Sequence, residues 1–159
     1  MDVKIKTSDI KFKFRVSGII IENNKILLEK YDENSYCLPG GYVNIGENSE
    51  EAIHRELKEE IKFDFILDEF LGIAENFFTN FKGDKTHGID FYYKASFKNK
   101  DDIDNIDYDY VEDDHGYTVK HSLKWFDLEE LRNINLRPEK IKEAVLNSTK
   151  NFHYIINDN

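Results

Sequence analysis

Three glutamates in one short segment have the spacing that places carboxylates on a single helix face. Glu59 and Glu60 follow Glu56 by three and four residues. Side chains at i, i+3 and i+4 lie beside one another on a helix. Crowded carboxylates repel one another, but a hard divalent cation such as Mg²⁺ prefers oxygen ligands and reverses the effect. The spacing therefore indicates either a divalent-metal site or a solvated acidic face.

The helix that must carry these glutamates is predicted from Asn48 to about Ile61. Asn48 can cap its N-terminus, and Glu51, three residues on, completes a reciprocal capping box. An apolar side chain recurs at every fourth position and gives the helix one face for the core. These core positions are Ile53, Leu57 and Ile61.

Residues upstream of the glutamates extend the pattern at fixed spacings. Five residues separate Gly41 from Glu47, and seven separate Glu47 from the run that begins at Arg55. This arrangement resembles the Nudix box of the MutT-type hydrolases, G-x5-E-x7-R-E-U-x-E-E-x-G-U, in which U is a bulky aliphatic residue. Eight of the nine defined positions match over residues 41–63: Gly41, Glu47, Arg55, Glu56, Leu57, Glu59, Glu60 and, loosely, Phe63.

Lys62 is the departure, because the box has a glycine there that ends the helix. Two helix ends are open: Lys62 adopts positive φ, at a cost on the order of 1 kcal/mol, or the helix continues and closes in another way. Strand-like residues follow at once in 63–65, with no glycine nearby. The abrupt change from helix to strand favours the strained end at Lys62.

The resemblance implies an α+β fold, an α/β/α sandwich around a mixed β-sheet, formed by residues 1–159 as a single domain. It also implies that Mg²⁺ or Mn²⁺ is bound by Glu56, Glu59, Glu60 and the carbonyl of Gly40. The Arg55 and Glu47 side chains are expected to pair and brace the loop against the helix. The cation would bridge diphosphate oxygens and lower the pKa of an attacking water.

The resemblance leaves the identity of the general base open. Glu59 is the first choice within the helix, and Glu112 is the alternative because some family members use a base from that region. The catalytic set is therefore predicted to be Glu47, Arg55, Glu56, Glu59 and Glu60, with Glu112 as the possible second base.

The implied function is Mg²⁺-dependent hydrolysis of a nucleoside diphosphate linked to another group, in a nucleotide or a nucleotide sugar. The alternative is a catalytically inactive Nudix-fold domain that binds nucleotides or regulates a partner. Such domains typically lose box carboxylates, and Glu56, Glu59 and Glu60 are all present here. The sequence does not distinguish among the candidate diphosphate substrates.

Composition limits the partners and the location. The net charge of −10 repels polyphosphate backbones and argues against a nucleic-acid polymer as ligand. We expect no membrane span and no secretory signal, since no apolar run is long enough for either. Cys37 is the only cysteine, so no internal disulfide is expected, and a cytoplasmic location is predicted. The choice between monomer and homodimer stays open, although dimers are common among relatives.

The remaining elements are predicted more loosely. Residues 12–31 indicate a hairpin that turns at Asn23-Asn24, whereas the acidic run 101–114 is interpreted as a loop. A helix is predicted over 138–147, with Pro138 in its first position. Three further side chains have both a structural and a functional interpretation: Arg15 can meet a phosphate or lie on a solvated edge, His87 can contact substrate, and Cys37 can border a pocket.

Overall fold

The part of the chain that the structure describes contains ten strands and two α-helices. The computed structural model describes residues 1–80, 83–106, 108–114 and 117–158. The strands are β1 (Lys4–Lys6), β2 (Ile10–Glu22), β3 (Lys25–Lys30), β4 (Tyr36–Cys37), β5 (Gly40–Tyr42), β6 (Phe65–Thr79), β7 (Lys85–Phe97), β8 (Tyr108–Asp114), β9 (Tyr117–Asp127) and β10 (Phe152–Asp158). The helices are α1 (Ser49–Ile61) and α2 (Ile141–Leu146), and short 3₁₀ helices lie at Lys100–Asn105 and Glu130–Asn133.

The described strands form one mixed sheet. Its order is β10-β6-β7-β2-β3-β9-β8, with β1 and β5 added to β2 and β4 added to β3. The pairs β10–β6 and β2–β7 are parallel, and the other pairs are antiparallel. The expected mixed sheet is therefore confirmed.

Apolar side chains cover both faces of the sheet because neighbouring residues of a strand point to opposite sides. Ile20 of β2 packs with Leu57 of α1 on one face. On the other face, Ile19 of the same strand packs with Ile141 of α2. The arrangement is the predicted α/β/α sandwich.

The predicted hairpin at residues 12–31 is confirmed. β2 and β3 pair antiparallel next to a two-residue turn, with Glu22 opposite Lys25. Asn23 and Asn24 have φ values of 51° and 62°, the positive values that a tight hairpin turn requires of both central residues. Asparagine tolerates this conformation better than most residues, which explains why the turn could be located from the sequence.

The prediction for residues 101–114 was wrong, and the predicted second helix is present but starts later. Residues 101–114 are not a loop, because they include part of a 3₁₀ helix and the strand β8, which pairs antiparallel with β9. The second helix begins at Ile141 rather than at Pro138. Backbone N–H groups of residues 141–143 donate to carbonyls three residues earlier, so the segment from Pro138 is a tighter turn that precedes the α-helix.

Candidate active site

Helix α1 begins and ends as its local sequence dictates. The Asn48 side chain accepts a hydrogen bond from the Glu51 N–H at 2.9 Å, and the Glu51 carboxylate accepts one from the Asn48 N–H at 3.0 Å. At the other end, Lys62 adopts φ 67°, and its N–H donates to the Lys58 carbonyl. Both the capping box and the left-handed residue at Lys62 are as predicted, and they fix the length of the helix that carries the box glutamates.

Arg55 connects the helix to the loop before it. Its Nε and Nη2 groups donate to the two carboxylate oxygens of Glu47, each at 2.8 Å. Nη2 also donates to the Tyr42 carbonyl at 2.9 Å. The hydrogen bonds from Arg55 are the main reason why the pKa of Glu47 falls to about 2. The structure therefore contains the expected pair between loop and helix, in a bidentate form that only a guanidinium provides.

Glu56 lies against the backbone of Gly41. A Cβ built on Gly41 would overlap the Glu56 carboxylate, so a larger residue at this position would force that carboxylate to move. The Glu56 side chain is 15% exposed and accepts a hydrogen bond from Arg55 Nη1 at 2.7 Å. Burial raises its pKa above the ordinary value despite that bond.

Glu60 is the most deeply buried of the three helix glutamates, with 9% of its surface exposed. Its Oε2 accepts a hydrogen bond from the Gly40 N–H at 2.8 Å. Burial raises the pKa of Glu60 well above the ordinary value, and the negative charges of Glu29 and Glu56 raise it further. Glu59, in contrast, has a 59% exposed side chain and lies 3.3 Å from Arg55.

The expected convergence of the three glutamates is only partly present. No group of three histidine, cysteine, aspartate or glutamate side chains among the described residues is close enough to hold a metal ion. The reason is that Arg55 donates to Glu56 and Glu59, whereas Glu60 turns to the Gly40 amide. The prediction from helical spacing did not take these competing hydrogen bonds into account.

The chemistry of these residues nevertheless fits a hard divalent cation. All three side chains offer carboxylate oxygens, the ligand type that Mg²⁺ prefers. Burial and mutual repulsion raise the pKa of Glu56 and Glu60, and a nearby cation would relieve this repulsion. Because Gly41 has no side chain, the Glu56 carboxylate can occupy the place that a Cβ would take next to the Gly40 loop.

Two residues near the box, Glu29 and His121, were not predicted from the sequence. Glu29 of β3 is 5% exposed, and its carboxylate contacts Nδ1 of His121 in β9. A strand's period of two places Glu29 on the same face as Leu27, which belongs to the core beneath α1. A charged residue at a core-facing position of a strand was the feature of the sequence that could have identified Glu29.

Glu112, the alternative base, lies in β8, and its side chain is outside the described residues.

Arg15 of β2 joins the box to a neighbouring cavity. Its Nη2 donates to the Gly40 carbonyl at 3.3 Å, and its guanidinium lies 5.4 Å from the centre of the Tyr42 ring. On its other side, Arg15 Nε is 3.7 Å from Oδ1 of Asp90. Arg15 therefore does not lie on a solvated edge, and one side chain links the Gly40 loop to Asp90.

The cavity has a volume of about 370 Å³ and is lined mainly by residues of β2, β6, β7 and the segment 31–38. Cys37 borders it as predicted, and burial raises the pKa of its thiol. His87 packs against Phe77 with ring centroids 4.4 Å apart, and it meets Phe12 edge to face. These ring contacts support the structural interpretation of His87.

A NUDIX domain model matches residues 12–146. The chain belongs to the Nudix family. An ADP-ribose pyrophosphatase from Methanocaldococcus jannaschii is 47% identical over a segment that covers 35% of this chain and 40% of that enzyme. The match thus spans less than half of the curated relative's length.

Solved structures place the Nudix chain among proteins of the same fold. A MutT protein from Bacillus halodurans has a TM-score of 0.64 at 18% identity, covering 91% of this chain and 89% of that one. A UDP-X diphosphatase has a TM-score of 0.57 at 21% identity, covering 97% of this chain and 69% of that one.

No helix in the described parts of the chain is long and apolar enough to cross a membrane.

Proposed function

We propose that this Nudix protein hydrolyses the diphosphate bond of a nucleoside diphosphate linked to another group, with Mg²⁺ or Mn²⁺ bound at the box. The observation that carries the proposal is the bidentate pair of Arg55 with Glu47 at 2.8 Å, which fixes the loop of Gly40 and Gly41 against α1. All box carboxylates are retained, and Arg15 links the Gly40 loop to a neighbouring cavity large enough for a small-molecule ligand.

In this proposal Glu56, Glu59 and Glu60, with the Gly40 carbonyl, hold the cation. When bound, the cation would neutralise diphosphate charge and acidify water. Glu59 is the proposed base because its side chain, at 59% exposed, is the most accessible of the three, although it accepts a hydrogen bond from Arg55 at 3.3 Å. Glu47 and Arg55 are positioning residues that hold the loop against the helix, and no proton-transfer step is assigned to them.

The M. jannaschii relative makes ADP-ribose the first substrate to test. The metal-stripped protein would be incubated with Mg²⁺ or Mn²⁺ and ADP-ribose, a UDP-sugar, an oxidised nucleoside triphosphate or a dinucleotide polyphosphate, with products separated by chromatography. We expect cleavage within the diphosphate that stops when the metal is chelated. Binding of these nucleotides without turnover under any metal condition would support the inactive binding or regulatory domain instead.

A further inference from the structure

Two hydrogen-bond acceptors lie next to each other in the cavity beside the Gly40 loop. Asn76 of β6 is 5% exposed, and Asp90 of β7 has a 14% exposed side chain. Asn76 Nδ2 donates to Asp90 Oδ2 at 2.6 Å. Both residues line the cavity, and the neighbouring Gly88 leaves its wall without a side chain. The hydrogen bond fixes the orientation of the Asn76 amide, so its oxygen is held as an acceptor.

This pair has acceptor capacity that the described residues do not use. Asn76 Oδ1 is buried and has no hydrogen-bond partner among them. Arg15 Nε is 3.7 Å from Asp90 Oδ1, which is longer than a hydrogen bond, and an ionised carboxylate can accept about four. Buried polar atoms in native proteins are rarely left without partners. A ligand that donates hydrogen bonds would satisfy both residues.

The distance from the box indicates which part of a substrate reaches the pair. Arg15 contacts the Gly40 carbonyl with one nitrogen and approaches Asp90 with another, so a single guanidinium separates the box loop from Asp90. In a nucleotide or nucleotide sugar, the group attached directly to the diphosphate is a sugar, and a base lies one ring further away. The hydroxyl groups of a sugar are also donors that match adjacent acceptors.

We propose that Asp90 and Asn76 bind the hydroxyl groups of the sugar ring attached to the substrate's diphosphate. This assignment rests on the proposed function, because it takes the box to be the diphosphate site. The sugar can be the ribose of the nucleoside or the sugar on the far side of the diphosphate, since both present the same chemistry.

The test is equilibrium binding, which does not require turnover. Calorimetry would compare ADP with 2′,3′-dideoxy-ADP, and ribose 5-phosphate with 2-deoxyribose 5-phosphate, in the presence of Mg²⁺. The proteins are the wild type, Asp90→Asn, Asn76→Leu and the matched control Asp158→Asn, an exposed aspartate at the same cavity. Circular dichroism would verify that each variant is folded.

We expect removal of the hydroxyl groups to weaken binding of one ligand pair to the wild type by roughly tenfold or more, as for lost hydrogen bonds to a charged group. The pair that responds identifies the sugar. The difference should shrink in Asp90→Asn, because the amide keeps an acceptor but loses the charge, shrink in Asn76→Leu and persist in full in Asp158→Asn.

Several results would overturn the assignment. Equal affinities within both ligand pairs, a hydroxyl effect that is undiminished in Asp90→Asn, or no binding of any ligand would each do so. A preference for GDP over IDP that Asp90→Asn abolishes, without any hydroxyl effect, would assign the pair to a base edge instead. If the hydroxyl effect is found but no diphosphate is cleaved, the proposed function fails while the binding site stands.

Discussion

Replacement of Lys62 by glycine tests whether the helix end at the site is strained. Lys62 has φ 67°, which is in the left-handed region. Its backbone N–H donates a hydrogen bond to the Lys58 carbonyl at the end of α1. A residue with a Cβ loses roughly 1–2 kcal/mol in this conformation, whereas glycine adopts it without that steric cost. Glycine also loses more backbone entropy on folding, about 0.5–1 kcal/mol relative to alanine.

The difference between these two effects predicts that Lys62→Gly raises the free energy of unfolding by several tenths of a kcal/mol, up to about 1 kcal/mol. For a chain of this size, such a gain corresponds to a rise in Tm of roughly 1–4 °C. The kcat of the enzyme should not change, because Lys62 ends the helix and is not one of the proposed ligands.

Urea unfolding of the wild type, Lys62→Gly and two controls would measure this effect. Lys62→Ala retains the Cβ and should therefore show no comparable gain. Lys58→Gly places glycine within the ordinary helical part of α1 and should lose about 1 kcal/mol. A stability loss in Lys62→Gly similar to that in Lys58→Gly would refute the reasoning, because it would mean that residue 62 has ordinary helical geometry in solution.

Three further predictions concern the box. Gly41→Ala should lower kcat by about 100-fold, because its Cβ would displace the Glu56 carboxylate; steady-state kinetics on a cleaved substrate would measure this, and unchanged kinetics would contradict the close packing. Arg55→Lys should weaken Mg²⁺ binding by about 10–100-fold through loss of the bidentate bond to Glu47, as titration calorimetry would detect; wild-type affinity would contradict the positioning role. Because the pKa of Glu47 is lowered from 4.5 to about 2, its contribution to stability should be lost as pH falls through that interval. Acid unfolding of Glu47→Gln should be less steep there, and an identical acid transition in both proteins would argue against the pair.

Features set by residues close in sequence could be predicted. The hairpin turn at Asn23-Asn24, the capping box of Asn48 with Glu51 and the end at Lys62 each depend on a few neighbouring residues. The resemblance to the Nudix box also implied the contact of Arg55 with Glu47, which the structure contains.

Features formed between distant strands could not be predicted in this way. The contact of Glu29 with His121 joins β3 to β9, and the pair of Asn76 with Asp90 depends on the register of β6 and β7. A sequence pattern reports which face a residue occupies, but it does not report which residue lies opposite. The acidic strand β8 was missed for a related reason, since its charged composition suggested a loop while its pairing with β9 determined its conformation.

The same limit explains why the arrangement of the box glutamates was only partly predicted. Helical spacing correctly places them on neighbouring positions, but their carboxylates follow the strongest local partners. Those partners are the Arg55 guanidinium for Glu56 and the Gly40 amide for Glu60. The burial that raises the pKa of Glu60 comes from the tertiary structure and has no counterpart in the helix sequence.

The central claim is that the box carboxylates perform metal-dependent cleavage of a diphosphate. The most direct test is kcat with saturating Mg²⁺ for the wild type, Glu59→Gln and Glu60→Gln, on a substrate that the wild type cleaves. The matched control is Glu50→Gln, which changes an exposed glutamate in the first turn of the same helix. We expect kcat to fall by roughly two decades or more in both box variants and to stay at the wild-type value in Glu50→Gln. Near-normal turnover in both Glu59→Gln and Glu60→Gln would contradict the account.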